Sequence, residues 1–96
     1  MLVPSFICPL VAFALRRAGF CIEPYDVGPR DFNGDAGRVA AACAANADIG
    51  TILINHLGGI PCDPARFEQT IRDCRLFVIE DCAQSFGALH QGRPVG

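Results

Sequence analysis

The stretch Leu76–Gly87, LFVIEDCAQSFG, carries an apolar run that stops abruptly at two acids and, three residues later, a glutamine. An uninterrupted apolar run of this kind reads as a strand buried on both faces, as parallel sheets require. Polar residues at its carboxyl end then stand where open α/β sheets bind ligands. Working upstream from it, strand-like and helix-like segments alternate. Leu2–Ile7, Phe20–Tyr25 and Ile49–Asn55 read as three further strands, and Pro24 suits an edge or a strand's end because it offers no ladder donor.

The intervening segments have helical signatures. Pro9 opens a helix with Leu10, Phe13, Ala14 and Arg17 on one side, and Gly19 sits where a left-handed residue would stop it. Arg38–Ala47 is alanine-rich, with Val39, Cys43 and Ala47 at helical spacing. Asp63 is a good N-cap followed by Pro64 at the first helical position. Phe67, Ile71 and Cys74 then form the buried stripe of a helix ending near Arg75. The Gly-, Pro-, Asp- and Asn-rich stretch from Asp26 to Gly37 is a loop, as is the passage through Gly58, Gly59 and Pro61, and Gln91-Gly92 is a turn. The expected class is α/β, in the order β-α-β-α-β-α-β, with a mostly parallel sheet, right-handed crossovers and helices covering the sheet. Residues 1–96 are expected to form a single domain, and a partial one. A core strand starts almost at Met1, and the chain stops just after a turn.

Composition narrows the function. The chain is 51% hydrophobic and 19% charged, which argues for a packed domain over disorder. A net charge of −2 and dispersed arginines leave no basic footprint for nucleic acid or an anionic membrane. Leu2–Leu15 is too short for a span of roughly 20 residues and lacks the basic flank of a signal peptide. The six cysteines contain no C-x-x-C pair, and His56 and His90 have no ligand spacing to any of them. A zinc site is therefore not expected, and reduced thiols in a cytoplasmic protein are. All eight basic residues apart from histidine are arginines; there is no lysine.

Four positions are candidates for chemistry. Asp81 directly follows the fourth strand, Leu76–Glu80, where its carboxylate either meets a cation held in the crevice or caps the turn after the strand. Gln84 can donate an amide N–H to a phenolic or carbonyl oxygen, or stand solvated on the loop. Glu80 should point away from the site, since neighbouring strand residues face opposite ways. His56 is placed for a general base or a ring contact, but with no identifiable partner it reads better as a structural histidine bonded to loop backbone. Cys8 can line the same crevice, with nothing adjacent to activate it. Gly58-Gly59 lacks the spacing of a phosphate loop.

With these elements placed, the chain resembles the DegT/StrS-type sugar aminotransferases, pyridoxal-phosphate enzymes of the aspartate aminotransferase fold. VPSF at Val3–Phe6 is similar to the family's V-P-x-[YF] opening, and the Asp of YDV at Tyr25–Val27 to its acid in v-D-[IV]. NHLGGIPCD at Asn55–Asp63 resembles V-H-L-x-G-x-P-x-D. VIEDCAQSFGA at Val78–Ala88 resembles V-I-E-D-A-A-Q-[AS]-x-G-A, followed by GRPVG for G-x-x-V-G. The resemblance implies a slice of the large domain, a partial three-layer sandwich, that belongs to a transferase moving an amino group onto a keto-sugar or related substrate. It implies Asp81 as partner of the protonated pyridine nitrogen of pyridoxal phosphate and Gln84 as a contact to the ring or its 3′-oxygen. Members of this family are typically dimers, so a homodimer is possible. Ile7-Cys8-Pro9 departs from the T-[FW] that commonly follows the first strand, which bears on the substrate. The family's phosphate-binding Gly-[ST] segment and its Schiff-base lysine lie outside the matched segments, so this chain is expected to be inactive alone and is assigned no catalytic residue. The alternative is a non-catalytic α/β binding module, which would melt cooperatively as a monomer, whereas a slice with open sheet edges would associate.

Overall fold

The apolar runs become strands, though shorter ones than the sequence suggests. The computed structural model describes residues 1–96. It comprises β1 (Leu2–Pro4), α1 (Pro9–Arg17), β2 (Glu23–Tyr25), α2 (Ala36–Ala45), β3 (Thr51–Asn55), α3 (Glu68–Cys74), β4 (Phe77–Asp81), β5 (Leu89–His90) and β6 (Arg93–Pro94). Short 3₁₀ turns at Leu57–Gly59 and Pro64–Phe67 lie between β3 and α3. The first four strands form one sheet in the order β2-β1-β3-β4, every pair parallel. This is the expected α/β class. Beyond it lies a small antiparallel hairpin, β5-β6, whose Gln91 and Gly92 both take positive φ, as a tight two-residue turn requires.

Strand order decides where the helices go. The connection from β1 to β2 runs one way across the sheet, and those from β2 to β3 and from β3 to β4 run the other. Right-handed crossovers therefore put α1 on one face and α2 with α3 on the opposite face. The second face is closed. Phe67, Val39, Ile52, Ile54 and Leu2 are all at most 1% exposed, and Leu76, Tyr25, Cys62, Cys43 and Ile49 complete the cluster. Gly34 has no side chain because the Tyr25 ring occupies that space: a Cβ there would stand 2.5 Å from the phenol oxygen. That phenol donates to the Leu53 carbonyl at 2.9 Å, and burial raises its pKa above the usual tyrosine value.

The first face is open. None of the α1 residues is buried, and Leu10 and Phe13 are 74% and 64% exposed. A groove of about 550 Å³ runs between Leu10, Val11 and Ala14 of α1 and Leu53 and Ile79 of the sheet.

Several boundaries differ from expectation, each for a local reason. The first strand ends at Pro4, not Ile7, because its neighbour β2 ends at Tyr25 and Ser5–Ile7 bends away. The second starts at Glu23 rather than Phe20, and Pro24 does lie on an edge strand. Helix α2 begins at Ala36 because the Asp35 carboxylate accepts the Arg38 amide at 3.0 Å, absorbing Gly37. It ends at Ala45, since the Asn46 side chain accepts the Asp48 amide instead. Ala47 is consequently exposed and takes no part in the helix stripe. Asp63 caps as expected, accepting the Ala65 amide at 3.0 Å, but the first turn it opens is 3₁₀. Arg75 closes α3 in the left-handed conformation.

Candidate functional site

The direction of chain travel reverses between β1 and β3, and there the loops leaving the two strands diverge and open a crevice at the carboxyl edge. The structure has a cavity of about 250 Å³ at that place. It is bordered by Cys8 after β1, by Asn55 and His56 at the end of β3, and by Asp81 and Gln84 at and beyond the end of β4. Val11 of α1 supplies an apolar wall. Asp81 and Gln84, singled out from sequence, are thus brought together, and Cys8 joins them.

Of the two roles that the sequence left open for Asp81, the structure shows the turn cap. One carboxylate oxygen, Oδ1, accepts the Ala83 amide at 3.0 Å and shapes the turn. The second oxygen has no protein hydrogen bond and is available to a ligand. Gln84 is oriented by backbone. Its Oε1 accepts the Gly58 amide at 2.7 Å, so the amide N–H groups are the end left to donate. Gly58 and Gly59 take φ of 62° and 81°, the left-handed region that favours glycine.

The segment that presents Gly58 is itself clasped from below. Asn33, fully buried, accepts the Leu57 amide at 3.0 Å and donates to the Ile60 carbonyl at 3.0 Å. The sequence placed Asn33 only in a loop, and nothing local marks it as the residue that holds the Leu57–Ile60 turn.

His56 is 1% exposed, with both nitrogens engaged. Nδ1 accepts the Cys62 amide at 2.9 Å, which puts the ring proton of the neutral imidazole on Nε2. That nitrogen lies 3.0 Å from Glu80 Oε1 and donates to it. No nitrogen remains for base catalysis, and the structural reading of His56 stands. Its partner Glu80 was not foreseen as one, although its turn away from the Asp81 side was. The pair lies on the closed face, where burial pushes the Cys62 thiol up to about 11. The other histidine, His90, has Nε2 3.2 Å from Asp63 Oδ1 near the hairpin, away from this cavity. All six cysteines are free thiols, and no helix is long and apolar enough to cross a membrane.

A carboxylate oxygen and an amide donor facing one small cavity at a sheet's switch point suit a flat, polar-edged ligand. The sequence match identifies the lineage. The family model of the DegT/DnrJ/EryC1/StrS aminotransferase family matches residues 1–96. This chain belongs to that family. Protein MosB of Rhizobium meliloti is 34% identical over 96 residues, all of this chain and 18% of MosB. GDP-perosamine synthase of Caulobacter vibrioides is 31% identical over 96 residues, 25% of its own length. The crystal structure of 3-amino-5-hydroxybenzoic acid synthase matches with a TM-score of 0.89 at 29% identity, over 99% of this chain and 24% of that one. The chain therefore spans a minor part of the length of each relative. Membership of the DegT/DnrJ/EryC1/StrS family implies pyridoxal phosphate, and the donor set here fits its ring. The free Asp81 oxygen can accept from a protonated ring nitrogen, and the Gln84 amide can donate to a ring oxygen.

Proposed function

We propose that this chain is the ring-binding part of a pyridoxal-phosphate-dependent aminotransferase that transfers an amino group to a keto-sugar or a related substrate. Pyridoxal phosphate, when bound, supplies the electron sink that such transfer needs. In this reading Asp81 accepts a hydrogen bond from the protonated pyridine nitrogen and keeps it charged, while Gln84 contacts the ring or donates to its 3′-oxygen. The observation that carries the reading is the polarisation of Gln84: with Oε1 tied to the Gly58 amide, only its donor end is left for a ligand. Val11 and the Cys8 loop exclude water from one side of the ring, which strengthens the charge-assisted bond to Asp81.

With no lysine in the chain, no side-chain amine here can hold the cofactor covalently or shuttle its proton, so the chain is inactive in transamination by itself. Free thiols favour a reducing, cytoplasmic setting, and a homodimer is the assembly consistent with the family. The test is a titration with pyridoxamine 5′-phosphate, whose amine cannot condense with the Met1 amine, followed by amide NMR. Binding is expected to perturb residues bordering the cavity, and Asp81→Asn to weaken it about 10- to 100-fold. Equal binding by Asp81→Asn and the parent chain would refute the reading, and turnover of an amino donor and a keto-sugar by the chain alone would refute its inactivity.

A further inference from the structure

Asn55 ends β3 directly opposite Asp81, as its register partner on β4. Alternation along the strands puts both side chains on the α1 side of the sheet, and both residues border the same cavity. Asn55 is 4% exposed, and its Oδ1 is buried with no hydrogen-bond donor. Buried acceptors of this kind are rare and call for an explanation. The position is an unusual one for a carboxamide, because Asn55 stands where the V-H-L-x-G-x-P-x-D pattern has valine, a residue that would leave nothing unsatisfied there. The Asn χ2 torsion is broad, so the amide can turn within its site without moving the backbone.

We propose that Asn55 is a further ligand-contacting residue of this site, its orphaned oxygen sharing the ring N–H donor with Asp81. The proposal rests on the ring-binding reading above. It assigns the missing donor to the ligand: the acceptor is unpaired in the free chain and paired in the complex. Asn55 and Asp81 then make a two-acceptor edge selective for a ring nitrogen that carries a proton, while Gln84 contacts the oxygen-bearing side of the ring.

A ligand-binding residue of this type leaves a signature that a structural one does not. Replacing Asn55 with valine removes an unsatisfied polar group, so Asn55→Val is expected to raise the melting temperature of the ligand-free chain by about 2–5 °C. The same change is expected to weaken pyridoxamine 5′-phosphate binding about five- to ten-fold. In the parent chain, the Asn55 side-chain NH₂ signals should shift during the titration, a measurement that needs no variant to fold. Weakened binding by Asp81→Asn with unchanged binding by Asn55→Val, or Asn55 signals that stay fixed while the ligand binds, would overturn this assignment and leave the ring-binding reading intact. If neither substitution weakens binding, the ring-binding reading falls and this one with it.

Discussion

On one face of the sheet, Ile52, Ile54 and Val78 meet α2, α3 and the fully buried Phe67. On the other, Leu53, Ile79 and Asp81 line a groove beside α1, none of whose residues is buried, and Asn55 and Asp81 border the neighbouring cavity. The closed face has the apolar density of a finished domain core. The open face carries the polar groups, the cavity and the unsatisfied amide. On the proposed reading, stability and binding are divided between two sides of the same four strands. Residues one position apart, such as Ile54 and Asn55 or Glu80 and Asp81, belong to different tasks.

The sharpest way to test that division is Phe67→Ala. Phe67 is 0% exposed, and truncating such a side chain costs about 3–5 kcal/mol. Against a domain stability of about 5–15 kcal/mol, the loss should be plain in urea denaturation. A cost below about 1 kcal/mol would mean the closed face is not the load-carrying one. Next in size is Asn33→Ala, which strands the Leu57 amide and the Ile60 carbonyl and should cost about 1–3 kcal/mol. Hydrogen exchange at Leu57 and Gly58 should accelerate with it, since the turn that orients Gln84 loses its clasp.

Alkaline pH probes the closed face more gently. Burial pushes the Cys62 and Cys43 thiols from 9.0 to about 11, with a hydrogen bond to Cys74 adding to the effect on Cys43. Between these values the unfolded chain has lost protons that the folded chain retains. Their contribution to stability is complete below pH 9 and declines as pH rises toward 11. Denaturation midpoints should fall across that window, and Cys62→Ala should flatten the fall. A midpoint that rises instead would contradict the sign.

What could be read from sequence follows from how local each determinant is. Helix starts at Pro9 and Asp63, the stop at Gly19 and the Gln91-Gly92 turn depend on neighbours within a few residues, and they are found where expected. Of the expected stripe, Phe67 is buried but lies in the preceding 3₁₀ turn, and Ile71 and Cys74 are only partly buried. Asp81 and Gln84 were visible because an apolar run ending in acids marks a strand's carboxyl end. Strand lengths were not, because β1 stops where β2 stops, a fact about pairing. Glu80 as partner of His56, Asn33 as clasp of the Leu57–Ile60 turn, and Asn55 as neighbour of Asp81 all join residues 24 to 27 positions apart or set by strand register. No periodicity or cap signals such a pairing, so only the assembled sheet reveals them.

The smallest expected effect is the one on which the comparison depends. Leu10 and Phe13 were expected to lie on one side of their helix; Leu10 borders the groove, yet both remain largely exposed. Side chains already in water lose little when shortened, so Leu10→Ala and Phe13→Ala should each change stability by no more than about 0.5 kcal/mol, even though Phe13→Ala removes the same atoms as the costly closed-face change. Because alanine is also the best helix former, part of even that small loss is offset. If Phe13→Ala instead approached the cost of Phe67→Ala in the same urea series, α1 would have to be packed in solution. The groove beside Leu53 and Ile79 would then be closed, and the cavity at Asn55 and Asp81 would lie behind a second finished face.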